Sequence, residues 1–187
     1  MLETFTPAVC RSRQRQIVAQ ALFTIAAVAT AAILGLVLGL VGAGLGARQA
    51  LVAAVALALV AAAREAGILR FRLPQSRRQV PERWRQELPL PVWASGYGAG
   101  LGAGFFTFQP VSTFWVACAG ALALARPVPA ALCLSLYGAG RAAMVVWPRR
   151  RTGDPTAAVE RLTRRRGALL KANALALVAC AVLLGLA

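Results

Sequence analysis

The stretch GYGAGLGAGFFTFQPVSTFWV, residues 96–116, decides how this chain folds. Glycines stand at every second position from Gly96 to Gly104, and Pro110 follows among Thr107, Gln109, Ser112 and Thr113. No charged residue occurs between 88 and 125. Glycine weakens a helix interior and proline breaks one, because it lacks the N–H and its ring clashes with the preceding turn. One uninterrupted helix is therefore excluded. Gly96, Gly98, Gly100, Gly102 and Gly104 include three overlapping G-x-x-x-G pairs, the spacing that lets helix backbones approach closely in an apolar medium. Pro110 frees a carbonyl one turn back, near Phe106, and the four uncharged polar side chains can satisfy the freed backbone groups. Two readings stay open: small residues for packing with a proline loop, or a polar pathway site lined by Thr107, Gln109, Ser112 and Thr113.

The surrounding composition sets the solvent. Of 187 residues, 59% are apolar and 14% charged, against about 45–50% and 25% in soluble domains. Mean hydropathy is +0.65. Residues 17–47, 49–63 and 172–187 are also free of charge. Neutral apolar runs of this length cross a hydrocarbon core about 30 Å thick. The expected architecture is an all-α integral membrane bundle, a single polytopic domain. Its helical segments fall at about 17–41, 49–69, 90–108, 111–125, 128–147 and 167–187, with a broken or re-entrant element near Pro110.

Net charge is +15, yet nucleic acid is not the expected partner. Seventeen of the 21 cations crowd into three segments beside the apolar runs: Arg11 to Arg15, Arg64 to Arg85, and Arg149 to Arg166. That distribution is the positive-inside pattern, with attraction to anionic lipid head groups as a second effect. Loops 70–88 and 148–166 are accordingly expected in the cytoplasm, with the N-terminus, at a bacterial plasma membrane. Residues 81–88 read as a short interfacial helix, and Trp93 and Trp147 as belt residues.

The pattern raises a topological conflict. If both large arginine clusters share a side, an even number of crossings separates them. Residues 128–147 supply one, so 88–125 should cross once, net. As one straight helix it would measure about 57 Å, nearly twice the oily thickness. Either this segment is two half-helices around an unwound turn, or the chain disobeys the charge rule.

Arg141 is the charge deepest within an apolar segment, and intramembrane ionisable groups are candidate functional residues. It lies about 9 Å from the segment's edge, so it reads either as an anchor or as part of a polar path. The neutral runs hold no carboxylate, so its partner would be a carbonyl, a polar side chain or a head group. Cys10, Cys118, Cys133 and Cys180 form no CxxC, and histidine is absent, so neither a metal site nor a catalytic site is expected and no cofactor is implied.

YGAGLGAGFFTFQP (97–110) and the helices that follow resemble the cytochrome c biogenesis transmembrane family, the CcdA/DsbD-like thiol reductants. The resemblance implies a six-helix scaffold that passes reducing equivalents through cysteines beside prolines in broken helices. Here Pro110 carries over as the break, but Val111 follows it where the family has cysteine. A redox role would fall to Cys118 and Cys133 instead. The sequence thus points to a non-enzymatic, transporter-like or scaffold membrane protein. Its alternatives are transmembrane thiol–disulfide electron transfer, or an accessory subunit packed against a membrane-protein partner or a second copy of itself.

Overall fold

The computed structural model describes residues 12–71, 83–104, 112–146, 160 and 163–185. Among them the chain is all-helical, with six helices longer than ten residues and no strand. Ser12 caps α1 (Arg13–Gly44), its Oγ accepting from Arg15 N at 3.2 Å. This cap starts the helix four residues before the apolar run, because the basic leader can continue the turn. A short turn leads to α2 (Ala47–Glu65), and α3 (Trp84–Glu87) is a single turn. Then come α4 (Leu90–Ala103), α5 (Thr113–Ala123), α6 (Pro127–Val146) and α7 (Arg166–Gly185).

α1 is the central post. Its buried positions Ala19, Phe23, Ala27, Ala31, Gly35 and Gly39 recur every fourth residue. The same interval recurs in α6 at Ala130, Leu134, Gly138 and Ala142, and in α2 at Ala50, Ala54, Ala58 and Ala62. A four-residue repeat exceeds the 3.6 residues of a helical turn, so each stripe winds slowly around its helix. Stripes of this kind interdigitate along their i±4 ridges. Small residues there bring backbones together. A Cβ on Gly98 or Gly102 would meet the carbonyl oxygens of Phe23 and Ala27 in α1. One on Gly39 would lie 2.7 Å from Pro127 Cα, and one on Gly138 would lie 2.8 Å from Ala31 Cβ.

These pairings fix direction. Gly98 and then Gly102 advance beside Phe23 and then Ala27, so α4 runs parallel to α1. Gly39 pairs with Pro127 while Ala31 pairs with Gly138, so α6 runs antiparallel. α5 joins α6 through residues 124–126, where Ala125 takes φ +48°, and the Phe114 ring lies 5.8 Å from that of Tyr137 across the hairpin. α5 therefore points the same way as α4. The two stack along the same flank: Gly42 of α1 meets Leu122 of α5, fifteen residues beyond the Ala27–Gly102 contact. α2 and α7 form a second pair that joins the rest through α5, with Ala58, Ala61, Ala62, Val116, Leu177 and Ala181 in one cluster.

Side-chain size is distributed unusually. Alanine and glycine line most helix contacts, with Phe23, Trp93, Phe114 and Leu134 buried among them, whereas Ile33, Leu136 and Leu175 are 60%, 73% and 72% exposed. α1 and α6 are each long and apolar enough to cross a bilayer. Only 22% of the most apolar 18-residue window in each is buried, whereas a core helix of a soluble domain would be mostly covered. α4 and α5, with 14 and 11 residues, measure about 21 and 16 Å, and neither reaches across alone.

Trp93 departs from its expected place at an outward-facing belt. It is buried against α1 with Ala19, Phe23 and Tyr97, because positions 93, 97 and 101 of α4 share the face that α1 covers. The interfacial helix expected at 81–88 is the four-residue α3, whose half-exposed Trp84 ring lies 3.0 Å from where a Gly96 Cβ would stand.

Leucine at Gly98 or Gly102 has no room against α1 and should lower stability by about 3 kcal/mol or more. Gly140 faces open space, so Gly140→Ala should be neutral or stabilising by up to about 1 kcal/mol. Thermal unfolding of the three variants in detergent measures the contrast.

Candidate functional site

The five glycines singled out from the sequence do not form one surface. Residues two apart on a helix lie about 200° apart, so alternate glycines point to opposite sides. Gly98 and Gly102 press on α1, Gly96 faces Trp84, and Gly100 is half-buried. Gly104 ends α4 at φ +70°, a left-handed conformation suited to glycine, with the Phe114 ring where a side chain would go. Thr107, Gln109 and Pro110 lie outside the described residues.

The junction of α4 and α5 stands level with the middle of α1. Gly102 and Gly138 both meet Ala27, halfway along the 32-residue helix, and Phe114 touches Gly104 and Tyr137 beside them. Two helix ends therefore face each other deep in the bundle. The last carbonyls of α4 and the first amides of α5 lack partners within their own helices, and the aligned peptide dipoles leave α4 partly negative and α5 partly positive at this point.

Each end receives a side chain of opposite sign from another helix. Arg141 of α6 donates from Nη1 to the carbonyl of Leu101, in the last turn of α4, at 3.0 Å. Its guanidinium also lies over the Tyr137 ring at 5.9 Å. Glu65, the last residue of α2, serves the start of α5. Its Oε1 accepts from the backbone N–H of Ser112 at 2.8 Å and from the Ser112 hydroxyl at 2.8 Å. The Glu65 side chain is 1% exposed, and Arg64 beside it, 20% exposed, donates to the same oxygen at 2.8 Å. Arg64 also reaches Ser112 Oγ at 3.2 Å and the Phe71 carbonyl at 3.2 Å.

Ser112 thus does not cap its own helix with its side chain. Glu65 performs that task from outside. One residue on, Thr113 donates from its hydroxyl to Asn173 Oδ1 of α7 at 2.7 Å. The Asn173 Nδ2 beside it is buried without a protein partner among the described residues. Of the pathway candidates, Ser112, Thr113 and Arg141 therefore meet at one level, bound to three different helices.

Glu65 and Asn173 had no part in the reading of the sequence, and Arg64 entered it only as a topology signal. Arg64 stands at the end of an apolar run, where an arginine reads as a topology signal. The usable sign was Glu65, an acid directly joined to fifteen neutral residues and one arginine. Neighbouring residues on a helix point apart, so nothing local says that both side chains turn to one hydroxyl.

The cysteines lie elsewhere. Cys118 is half-buried in mid-α5, and Cys133 of α6 and Cys180 of α7 are exposed; all three are free thiols. No group of three or more histidine, cysteine, aspartate or glutamate side chains that could hold a metal occurs among the described residues.

No family model and no solved structure matches the chain. It is similar to the methylamine utilization protein MauF of Methylorubrum extorquens, with 35% identity over 117 residues. The match takes in 59% of this chain and spans 40% of the length of MauF.

A single loss at the polar centre should be worse than a double one. Glu65→Ala leaves the Arg64 charge without its carboxylate and two Ser112 donors without their acceptor, and should cost about 3–5 kcal/mol. Combining Arg64→Met with Glu65→Leu removes both charges and should recover part of that loss. Chemical unfolding in detergent of the single and double variants tests the order.

Proposed function

We propose that this chain is a polytopic plasma-membrane protein of transporter-like type, built around a discontinuous crossing made of α4 and α5. The observation that carries the reading is the pair of helix ends level with the middle of α1, each met by a charged side chain from a neighbour. Broken helices of this kind occur where a membrane protein handles a polar species, because their termini offer amides and carbonyls that a continuous helix uses internally. Irregular backbone and buried charge cost several kcal/mol in hydrocarbon. A purely packing role would be met by an unbroken helix without them.

The outward-facing isoleucines, leucines and valines support immersion in lipid, where small residues pack helices and large aliphatic ones meet acyl chains. The helix directions support five crossings: α1, α2, α4 with α5, α6 and α7. Together α4 and α5 reach about 37 Å, enough for one crossing at a tilt. This arrangement removes the topological conflict posed by 88–125. Both basic loops then lie with the N-terminus on the cytoplasmic side and α7 ends on the other, in keeping with the positive-inside rule. The likeness to MauF suggests methylamine utilization as the process in which to seek the physiological role.

Single cysteines introduced into a cysteine-free background test this topology. Sites within 73–80 and 150–156 should react with a membrane-impermeant thiol reagent only from the cytoplasmic face, and a site after 185 only from the opposite face. Labelling of the two basic loops from different sides would refute the five-crossing arrangement. Ser112→Cys should react with a small permeant thiol reagent at least about tenfold faster than Ala121→Cys, which faces packed helices. Equal protection of both would mean that no polar path reaches the break.

A further inference from the structure

At the basic end of the bundle the first turns of α1 and α4 diverge. Gln14, Arg15 and Val18 form one wall of the resulting cleft, and Pro89, Leu90 and Pro91 form the other. Its volume is about 670 Å³, within the range of small-molecule sites. Among the described residues no carboxylate pairs with Arg15 or with Arg13 one turn-half before it. Directly above, Ile17 and Val18 are exposed, and Leu90 and Pro91 continue the apolar lining opposite.

Cation below and oil above is the arrangement of a phospholipid read in reverse: a phosphate at the interface and an acyl chain beyond it. Arg15 and Val18 are three residues apart, about 4.5 Å along the axis, close to the step from phosphate to glycerol ester. Arginine suits the phosphate because its planar fork offers paired donors. We infer that this cleft holds the head group and upper acyl chain of one anionic phospholipid, at the level where Arg13 and Arg15 meet the cytoplasmic leaflet. The inference rests on the membrane reading above, and it adds a fixed site to the diffuse attraction expected of a chain with net charge +15.

The test is native mass spectrometry of the full chain released from nanodiscs of phosphatidylglycerol and phosphatidylcholine with identical acyl chains. Wild type should retain one phosphatidylglycerol in preference to phosphatidylcholine. Arg15→Gln should lower that preference about fivefold, the effect of one interfacial arginine. Leu90→Trp fills the cleft without touching charge and should abolish retention; Val18→Trp serves the same end if the first variant misfolds. Equal retention of the two lipids by wild type would overturn the proposal. So would a preference that survives Leu90→Trp and Val18→Trp, since it would then belong to overall charge. Displacement of the lipid by inorganic phosphate at matched ionic strength would reassign the cleft to a free anion. Prior washing of membranes with alkaline carbonate separates the two failures: release of the protein rejects the membrane reading itself, whereas retention followed by no lipid preference rejects this site alone.

Discussion

The structure depends on how closely the backbone of α1 can be approached. At Gly98 and Gly102 the α4 backbone sits against the Phe23 and Ala27 carbonyls, and at Gly35 and Gly39 the α1 backbone sits against the start of α6. Nothing larger than hydrogen fits at these points. In water, burying large aliphatic side chains would drive such a bundle together; here many of them, Ile33, Leu136 and Leu175 among them, point outward. What remains is dispersion between closely matched surfaces, aided by weak Cα–H···O contacts where carbonyls face glycine. Such forces fall off steeply with distance, so the interval of small residues specifies the register.

Once α1 holds α4 on one side and α6 on another, the position of the helix break follows. α4 stops at Gly104 at the level of mid-α1, and α5 begins there. Up to four orphan backbone groups at each terminus then lie within the bundle. The bundle answers with two groups of opposite sign from α2 and α6. Glu65 and Arg141 do not meet each other. Each is instead matched to the partial charge of a helix end, and Glu65 is further balanced by Arg64. A carboxylate so placed satisfies donors that no local side chain reaches, which explains why Ser112 can turn its hydroxyl away from its own helix.

The polar centre also joins the two parts of the bundle. α2 and α7 contact the remainder through α5, and the Glu65–Ser112 and Asn173–Thr113 hydrogen bonds lie along that seam. Apolar contacts at Val116 and Leu177 continue it. Hydrogen bonds are directional where dispersion is not, so this seam has one preferred alignment at the level of the break.

The amino-acid sequence by itself determined the all-helical character and an interruption between the glycine run and Ser112, because charge-free length, glycine and proline act through local physics; that α4 already stops at Gly104, short of the 108 expected, was not legible there. It also placed most arginines beside the ends of the apolar runs, with Arg141 as the exception. Only the tertiary structure decided which glycines are contacts: a two-residue spacing scatters them around the helix, and the neighbour's position selects Gly98 and Gly102. The same holds for Trp93, turned inward by α1, and for Arg141, whose carbonyl partner is forty residues away. Glu65 is the clearest case. Its acidity is written in the chain, but its burial and its role as a cap for α5 arise from α2 ending beside a helix that begins 48 positions later, a coincidence in space that no local pattern encodes.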